Sequence, residues 1–598
     1  MNRITASALI GAGALLLATG TAQAAETAPV FHVKQEGLTA DQGAKLADAF
    51  GITNALQDDG AFSYVSDSFA QVPLLKIGTG KDEAGRPTVS QSIDRRALAA
   101  LRPVSDAEAR ERAAKLLDLA ELSPDLKAIP SVSNAKLTLA DRAGKPTSET
   151  PIDTSVSFRF ELGGLPAAGQ GAKLRITFAP DGSVTQLSDS LRQLERGDDV
   201  PIISPAEAQK ACAALYDRGV RQGAPTLGYL LPALGAVQEI YPHYTCNPST
   251  EDGTQAHRQI PAVEGAGPKA VIKASRSGDK IFATADASGG AGPYRFDWSS
   301  STTTLDATEG SEIAYERSSR FKTSAETLTL EVVDANGLAS TASVSLPGDG
   351  DVEGGGVPGG GGFGTLAIGP TDVGIEQTVD EWQCAQDSAI GFKAVMGSHA
   401  VPTAFDWRGW AAFEKDFKDV SLGGWDTTYV DNVDAQWYTG HGSPSSFTFK
   451  SSVDDKWVTP ADARWGDWDL EWLQLESCQV LADTSGTHDY FSRWGGTMDG
   501  LHILNGFHTN AYCIGGGTGR RFAEYLFPAW YRGALTVRQA WAQMAIDKEP
   551  SGVVYRSMGN IASNGATNIG DFFWGQGPTG PDIRLSGRSG MWSITGTV

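Results

Sequence analysis

A glycine-rich segment between residues 348 and 364 divides this chain and constrains every fold that it can adopt. The segment is mostly Gly, with Asp, Val and Pro among the rest, so it lacks the side chains that build a core. We therefore predict a flexible linker over 348–365. A chain of 598 residues is also too long for a single core. Together these features predict a multi-domain protein whose clearest boundary is the linker.

The first 24 residues have the features of a secretory signal peptide. Arg3 supplies a short positive region, residues 6–18 form a small apolar run, and Ala22-Gln23-Ala24 offers the small side chains that signal peptidase accepts. We predict cleavage after Ala24 and a secreted or periplasmic protein. No later segment reaches the roughly 20 apolar residues that a membrane helix needs, so we predict no integral membrane span.

Net charge and cysteine content limit the partners and the disulfide pattern. The formal net charge of −22 argues against a nucleic-acid partner, because the phosphate backbone would be repelled. Five cysteines are too few for a disulfide-built scaffold, and their odd number leaves at least one without a partner in the chain. Cys212 and Cys246 could pair with each other. Of Cys384, Cys478 and Cys513, two could pair and one would remain.

Residues 25–262 mix helix and strand patterns, which predicts an α+β region. The predicted elements are helices that begin after Thr39 and Ser105, strands over 155–162 and 172–178, and a capped helix over 204–215. With the run Gly163-Gly164-Leu165-Pro166 and the turn at Asp181-Gly182, this order resembles the PepSY-type modules in propeptides of secreted peptidases. The resemblance implies a domain that assists folding or covers an active site. A plain α+β binding or spacer module is the alternative.

Residues 267–347 have short strand patterns, Gly-Pro turns and no helix pattern, which predicts a β-sandwich. The runs that end at Trp298 and at Gly337 resemble the PKD and related Ig-like domains of secreted proteins. In those domains a Trp is buried on one sheet, and an Asp-x-Asn-Gly turn precedes the last strand. The resemblance implies a spacer or adhesive module.

Residues 366–598 contain fourteen of the fifteen tryptophans and alternate strands with helices. Such alternation predicts an α/β domain with a mostly parallel sheet. Two of its strand patterns run into His441 and Cys478. Because the carboxyl ends of neighbouring parallel strands form the ligand crevice, both side chains should lie in one crevice. A thiol needs a nearby imidazole or another positive group to act as a nucleophile near neutral pH.

The segments Thr439-Gly440-His441-Gly442 and Glu476-Ser477-Cys478 resemble the caspase-like superfamily of cysteine peptidases, which includes legumains, gingipains and CHAT domains. The resemblance covers about 370–550 and implies a caspase-like fold for the C-terminal domain. It implies that Cys478 is the nucleophile, that His441 is its acid–base partner, and that the backbone N–H groups of Gly442 and Cys478 form the oxyanion hole. The implied substrate pocket consists of Gly506, Phe507, His508 and Thr509.

Two functions follow from these patterns. The first is a secreted cysteine endopeptidase that hydrolyses protein or peptide substrates with a Cys–His dyad. The alternative is a non-catalytic surface or adhesion protein that binds glycan or protein through its aromatic-rich C-terminal domain. The histidines lack zinc-ligand spacing and the acidic loop before residue 470 lacks EF-hand spacing, so we predict no metal and no cofactor. Whether the protein is an enzyme, and its oligomeric state, stay open at this level.

Overall fold

The computed structural model describes most of the chain beyond residue 25. The described ranges are 26–82, 85–214, 221–235, 237–249, 259–303, 305, 310–317, 325–336, 338–348, 371–379, 383–450, 455–512 and 517–598. The signal-peptide prediction over 1–24, nearly all of the linker over 348–365 and Cys513 lie outside the described residues. Within the described ranges, no helix combines the length and the apolar character that crossing a membrane requires.

The N-terminal region builds a nine-stranded sheet with helices packed on it. The strands of the whole region, only some of which belong to this sheet, are β1 Thr27–Gln35, β2 Phe62–Val65, β3 Leu74–Lys81, β4 Pro87–Ile93, β5 Leu126–Ser133, β6 Lys136–Asp141, β7 Pro146–Pro151, β8 Thr154–Leu162, β9 Leu165–Ala168, β10 Leu174–Phe178, β11 Val184–Asp189, β12 Gln193–Pro201, β13 Arg221–Leu230, β14 Glu239–Ile240, β15 Pro242–Ser249 and β16 Gln259–Pro261. Its helices are α1 Ala40–Phe50, α2 Arg95–Ala100, α3 Asp106–Ala120 and α4 Pro205–Ala214. The sheet has the order β16-β15-β13-β9-β8-β10-β11-β2, with β5 beside β8.

Local sequence signals explain the helices of this region. Thr39 caps α1 in a capping box with Gln42, and Ser105 caps α3 by accepting the N–H of Glu108. The apolar faces of α1 and α3 share one core with strands of the nine-stranded sheet. A disulfide joins Cys212 of α4 to Cys246 of β15, with a Cα–Cα distance of 5.5 Å.

The middle region consists of two three-stranded antiparallel sheets. Its strands are β17 Lys269–Ser277, β18 Lys280–Ser288, β19 Arg295–Ser300, β20 Glu312–Glu316, β21 Glu326–Val333 and β22 Ala339–Leu346. One sheet has the order β17-β18-β20 and the other β19-β21-β22, and side chains from both share a core. Trp298 lies in that core and donates its indole N–H to the carbonyl of Gly310 at 2.8 Å.

The C-terminal region adds the remaining elements. Its strands are β23 Val373–Gln377, β24 Thr403–Arg408, β25 Ala435–Thr439, β26 Gly442–Ser443, β27 Ser446–Thr448, β28 Trp457–Val458, β29 Trp472–Glu476, β30 Ile503–Phe507, β31 Val554–Ala562, β32 Ala566–Thr567 and β33 Arg588–Thr597. Its helices are α5 Gln383–Ser398, α6 Tyr490–Trp494, α7 Thr518–Leu526 and α8 Val537–Lys548. Cys384 in α5 is disulfide-bonded.

One twelve-stranded sheet unites the N-terminal and C-terminal regions. The strands β24, β23, β25, β29 and β30 run parallel in that order, and β31 continues antiparallel. From β31 the sheet extends in two directions into the N-terminal region: through β33 to β6 and β7, and through β32 to β4 and β3. Helices α5, α7 and α8 contribute to the core on one face, and aromatic side chains from loops fill the other.

The predicted fold class is wrong. The structure is 42% strand and 20% helix over the residues that it describes, and its strands belong to several sheets, which conflicts with a caspase-like α/β domain at the C-terminus. The physical reason lies in the pairing of β31 and β33. These strands carry Gly, Ser and Arg among their apolar residues, and they satisfy their backbone groups against partners remote in sequence. The local sequence pattern of each strand does not indicate which strand it pairs with.

Candidate functional site around Cys478

The His441 and Cys478 segments leave two neighbouring parallel strands at the same edge. Thr439, the last residue of β25, is the register partner of Glu476, the last residue of β29. His441 and Cys478 each follow two residues later. The Gly440 N–H donates to the Glu476 carbonyl at 3.2 Å, so the strands stay bonded beyond their register. The structure therefore brings the two segments together, whereas the catalytic roles of their side chains stay predictions.

Gly442 lies where the two segments touch. A Cβ at this position would lie 2.1 Å from Ser477 Oγ and 2.9 Å from the Cys478 carbonyl oxygen. Real side chains do not approach backbone atoms this closely, so the contact requires glycine. The neighbouring His441 is partly buried, and its carbonyl accepts the N–H of Thr448 at 3.0 Å.

Replacing Gly442 with Ala should lower the free energy of unfolding by about 1–3 kcal/mol, because the added methyl must displace backbone. Urea unfolding followed by tryptophan fluorescence measures the effect. Gly496→Ala is the matched control, since a Cβ there meets nothing within 4 Å. Equal stability of the two variants would contradict the close approach of the two segments.

Burial keeps the Cys478 thiol neutral. The residue is 4% exposed, it is free of disulfides, and its thiol faces the Ala511 carbonyl at 3.6 Å. Burial raises the pKa of Cys478 to about 12, and the charge of Glu549 adds to the rise. A thiol with this pKa is not a nucleophile at neutral pH. In the conformation described, Cys478 is therefore unreactive.

The structure explains why Glu476 stands two residues before Cys478, although a carboxylate there is unfavourable for forming a thiolate. Its carboxylate accepts hydrogen bonds from three hydroxyl groups: Ser388 at 2.5 Å, Thr439 at 2.7 Å, and Thr518. Burial still raises the pKa of Glu476. This group fastens α5 and α7 to the ends of β25 and β29, so it orders the edge that carries the site.

A cavity of about 570 Å³ lies beside the segment that carries Cys478: Gln479 lines it, whereas Cys478 and His441 do not. Its C-terminal wall includes Gln479, His508, Thr509 and Tyr512, and its opposite wall comes from β9, β13 and β15 of the N-terminal region. Two of the four predicted pocket residues, His508 and Thr509, therefore line it. The other two lie in β30, where the Phe507 side chain is fully buried in the core.

The cavity is lined by both apolar and uncharged polar groups and carries little charge. Apart from two imidazoles, none of its described lining residues is acidic or basic. Burial lowers the pKa of His243 to about 4. Burial and the charge of Arg556 lower the pKa of His508, whose Nδ1 accepts the Asp483 N–H at 2.9 Å. Both rings are neutral at pH 7, so the cavity suits uncharged groups.

Pattern reasoning on the sequence missed the N-terminal wall and Glu549. Tyr229 and His243 stand far from the Cys478 segment in sequence, and nothing in their local patterns points to it. Glu549 caps the C-terminus of α8, and its carboxyl lies close enough to the thiol to contribute to the raised pKa of Cys478. Only the three-dimensional pairing of the two regions reveals these neighbours.

Among the described residues, two clusters of three carboxyl side chains are compact enough to consider a cation. Asp426, Asp431 and Asp467 form the first, but Asp431 accepts the Gly466 N–H at 2.6 Å and Asp426 accepts the Val420 N–H at 2.9 Å. These hydrogen bonds to backbone N–H groups explain why the carboxylates of the first group lie together: they stabilise loops. The second group consists of Asp434, Asp469 and Glu471, and it lies at the opposite end of β25 and β29 from Cys478.

Comparisons with known proteins add a family match for one region. Residues 373–596 match the model of a family described as a domain of unknown function, DUF6345. No curated protein matches the chain. Among solved structures, the chain is similar to the C-terminal domain of YpeB from Bacillus megaterium, with 14% identity and a TM-score of 0.16 over 38% of this chain and 95% of that one.

A second similar structure is the N-terminal eight Ig domains of Down syndrome cell adhesion molecule, isoform 1.30.30. The identity is 10% and the TM-score is 0.11 over 37% of this chain and 42% of that one. At such TM-scores neither likeness bears on fold or function. The predicted resemblance to caspase-like peptidases gains no support from the comparisons, so function is argued below from the site.

Proposed function

We propose that this chain is an exported, latent cysteine endopeptidase with Cys478 as nucleophile and His441 as acid–base partner. The observation that carries the proposal is the register of Thr439 with Glu476, which sets the His441 and Cys478 segments side by side. Proximity of an imidazole and a thiol is the first requirement for nucleophilic catalysis by cysteine. The cavity lined by Gln479, the residue after Cys478, offers space for part of a peptide substrate.

The proposed reaction uses groups of this chain alone. His441 takes the proton of Cys478, and the thiolate attacks the carbonyl carbon of the scissile bond. The N–H groups of Gly442 and Cys478 bind the oxyanion, and the imidazolium returns its proton to the leaving amine. Water then hydrolyses the thioester and regenerates the thiol. The uncharged cavity favours peptides whose bound side chain carries no charge.

An enzyme that is latent in this conformation would explain why the Cys478 thiol is neutral. The N-terminal strands β9, β13 and β15 close one side of the cavity, and Cys478 is buried beneath the adjoining loops. A substrate carbonyl needs access to the sulfur, so the N-terminal wall has to move before the enzyme acts. Proteolytic cleavage within the N-terminal region is the simplest trigger.

Thiol alkylation before and after limited proteolysis tests the proposal. With a pKa of about 12, only about 10⁻⁵ of the Cys478 thiol is ionised at pH 7, and this fraction rises tenfold for each pH unit. Iodoacetamide should therefore label Cys478 of the intact protein very slowly at pH 7 and faster as the pH rises. After limited proteolysis, labelling at pH 7 should accelerate by at least about 10³-fold, together with the appearance of peptide hydrolysis.

Peptide mapping by mass spectrometry identifies the labelled cysteine, and fluorogenic peptides measure hydrolysis. Cys212, whose sulfur is held in the disulfide with Cys246, is the internal control that should stay unlabelled. If the cleaved protein hydrolyses no peptide and Cys478 stays unlabelled, the proposal is wrong. Hydrolysis that persists after complete labelling of Cys478 would also rule it out.

The raised pKa of Cys478 favours a second candidate, a non-catalytic protein that binds glycan or protein. The tryptophans offer limited surface for this role, because seven of them are fully buried: Trp298, Trp437, Trp465, Trp472, Trp494, Trp541 and Trp592. Trp530 is 75% exposed and lies edge-to-face against Tyr531 at 5.1 Å. For this candidate, Trp530→Ala should abolish ligand binding while the chemical state of Cys478 makes no difference.

A further inference from the structure

The cavity between the N-terminal and C-terminal regions is lined by two imidazoles, one on each wall. His243 of β15 donates its Nδ1–H to the Tyr241 carbonyl, with 2.8 Å between the two atoms. His508 uses its Nδ1 in the opposite sense, because that atom accepts the Asp483 N–H at 2.9 Å. Both rings are neutral at pH 7, so each carries a single proton. The Nε2 atom of His243 is therefore an acceptor, and that of His508 is a donor.

These two Nε2 atoms are available to a ligand. Neither has a hydrogen-bond partner among the described residues, and neither belongs to the partnerless side-chain atoms that are shut off from solvent. Since His243 and His508 both line the cavity, the two nitrogens reach solvent there. The cavity thus presents an acceptor on its N-terminal wall and a donor on its C-terminal wall, and the backbone holds each ring in one tautomer.

The rest of the lining limits the chemistry of a ligand. More than half of the described lining residues carry hydroxyl, carboxamide, phenol or imidazole groups, and the others are glycines or apolar residues. A charged ligand would lose its hydration and find no side chain of opposite charge. A purely apolar ligand would leave the polar groups of the lining without the hydrogen bonds that water gives them. The cavity of about 570 Å³ therefore suits a small neutral ligand with several hydrogen-bonding groups.

We propose that this cavity binds a neutral saccharide of one or two rings, which spans His243 and His508. A sugar hydroxyl both donates and accepts, so it satisfies either imidazole nitrogen. The hydroxyl of Thr245 on the N-terminal wall adds a further partner. The apolar faces of a sugar ring pack against lining side chains such as Leu230 and Val553.

An extended peptide is the competing neutral ligand. Such a peptide binds by adding a strand to the edge of a sheet. On the N-terminal wall, β13 lies between β15 and β9, so it is not an edge strand. Recognition in the cavity therefore comes from side chains, and these match hydroxyl groups distributed around a ring better than the backbone groups of an extended chain.

A bound saccharide would connect the two regions. His243 belongs to the nine-stranded sheet of the N-terminal region, whereas His508 directly follows β30 of the C-terminal region. A ligand with hydrogen bonds to both stabilises the arrangement in which the N-terminal wall closes the cavity. The inference does not rest on the proposed peptidase activity, because the ligand occupies the intact protein, in which Cys478 is unreactive.

Saturation-transfer difference NMR and isothermal titration of the full-length protein test the inference with glucose, cellobiose and N,N′-diacetylchitobiose. We expect at least one of these neutral saccharides to bind with a millimolar or lower Kd and to raise Tm, because it binds only the folded state. Glucuronate, glucosamine and the blocked peptide acetyl-trialanine amide should bind at least about tenfold more weakly than that saccharide. The first two are charged, and the cavity offers them no countercharge.

Asparagine variants remove one cavity nitrogen each and retain the hydrogen bond to the backbone. In His508→Asn the amide oxygen can still accept the Asp483 N–H, whereas the Nε2 donor is lost. In His243→Asn the amide N–H can still donate to the Tyr241 carbonyl, whereas the Nε2 acceptor is lost. Each variant should weaken the Kd by about fivefold or more, the effect of one lost hydrogen bond.

His488→Asn is the matched control, because that partly buried histidine does not line the cavity. Its φ of 59° lies in the left-handed region, which Asn adopts readily, so the variant should fold and bind like the unaltered protein. Thr245→Val removes only a hydroxyl from the lining; it should also weaken the Kd, and it decides the matter if the asparagine variants fail to fold.

Three results would overturn the inference. The first is that no neutral saccharide binds at millimolar concentration. The second is an unchanged Kd in every cavity variant that folds. The third is a blocked peptide that binds at least as tightly as the saccharides. Peptide hydrolysis enters none of these measurements, so failure of the proposed peptidase activity would leave the saccharide inference standing.

Discussion

Replacing Cys478 with Ala should reduce peptide hydrolysis by the proteolytically cleaved protein to the background rate, a loss of at least about 10³-fold. Alanine removes the sulfur that forms the thioester, so no covalent intermediate can arise. The substitution removes one buried atom from a packed site, which should cost no more than about 1–2 kcal/mol of stability. The kcat/KM for a fluorogenic peptide and the urea-unfolding midpoint are the two measurements.

Histidine variants separate the acid–base role from a structural one. His441→Ala should lower kcat by about 10²–10⁴-fold with little change in KM. The double variant of His441 and Cys478 should lose no more activity than Cys478→Ala alone, because residues that act as one unit are not additive. His488→Ala is the matched control, since that histidine is also partly buried but does not line the cavity.

The outcome that contradicts the proposal is equally specific. Peptide hydrolysis by a folded Cys478→Ala variant would assign the activity to another residue and leave the Cys478 thiol as a core group. Loss of activity in His488→Ala equal to that in His441→Ala would show that the histidine effects are not local. Either result would rule out the proposed dyad of His441 and Cys478.

Sequence patterns identify the site segments because those strands are locally encoded. The strands that lead to His441 and Cys478 are short apolar runs followed by turn residues, and the structure contains them as β25 and β29. Their polar members, by contrast, are explained only by partners from other segments of the chain. Glu476 accepts three hydroxyl hydrogen bonds, and Asp434 accepts bonds from Arg86 and from the Asp372 N–H at 2.8 Å.

The fold class was wrong because sheet pairing between remote segments has no local signal. β6 pairs with β33, and β4 pairs with β32, so two N-terminal hairpins complete a sheet that begins in the C-terminal region. The glycine-rich segment suggests independent domains, whereas these pairings join regions on either side of it. The same long-range pairing places β13 and β15 across the cavity from His508, which no spacing in the sequence indicates.

Replacing Arg86 with Ala should lower the free energy of unfolding by about 3–5 kcal/mol, the cost of removing one partner from a buried ion-pair network. Burial alone would lower the pKa of Arg86, but the charges of Glu471 and Asp434 outweigh it, so the guanidinium is firmly charged. Without it, Asp434 and Glu471 remain buried and uncompensated, with side chains 3% and 5% exposed. Urea unfolding at pH 8 measures the loss.

The pH dependence of this loss provides an internal check. Burial and the charge of Asp434 raise the pKa of Glu471, so its carboxyl binds a proton more tightly in the folded state than in the unfolded state. A group with a raised carboxyl pKa favours the folded state at low pH, and this contribution is lost as the pH rises. The stability deficit of Arg86→Ala should therefore shrink between pH 8 and pH 5, because protonation removes the uncompensated charge.

Two control variants provide reference values for the loss of stability in Arg86→Ala. Arg86→Lys keeps the charge but loses the forked donor geometry, so it should fall between the unaltered protein and Arg86→Ala. Lys34→Ala breaks an exposed pair with Glu195, whose side chains are 58% and 59% exposed, and should change stability by less than about 0.5 kcal/mol. If Arg86→Ala were as stable as Lys34→Ala at pH 8, the guanidinium would not hold the N-terminal hairpin against the parallel strands.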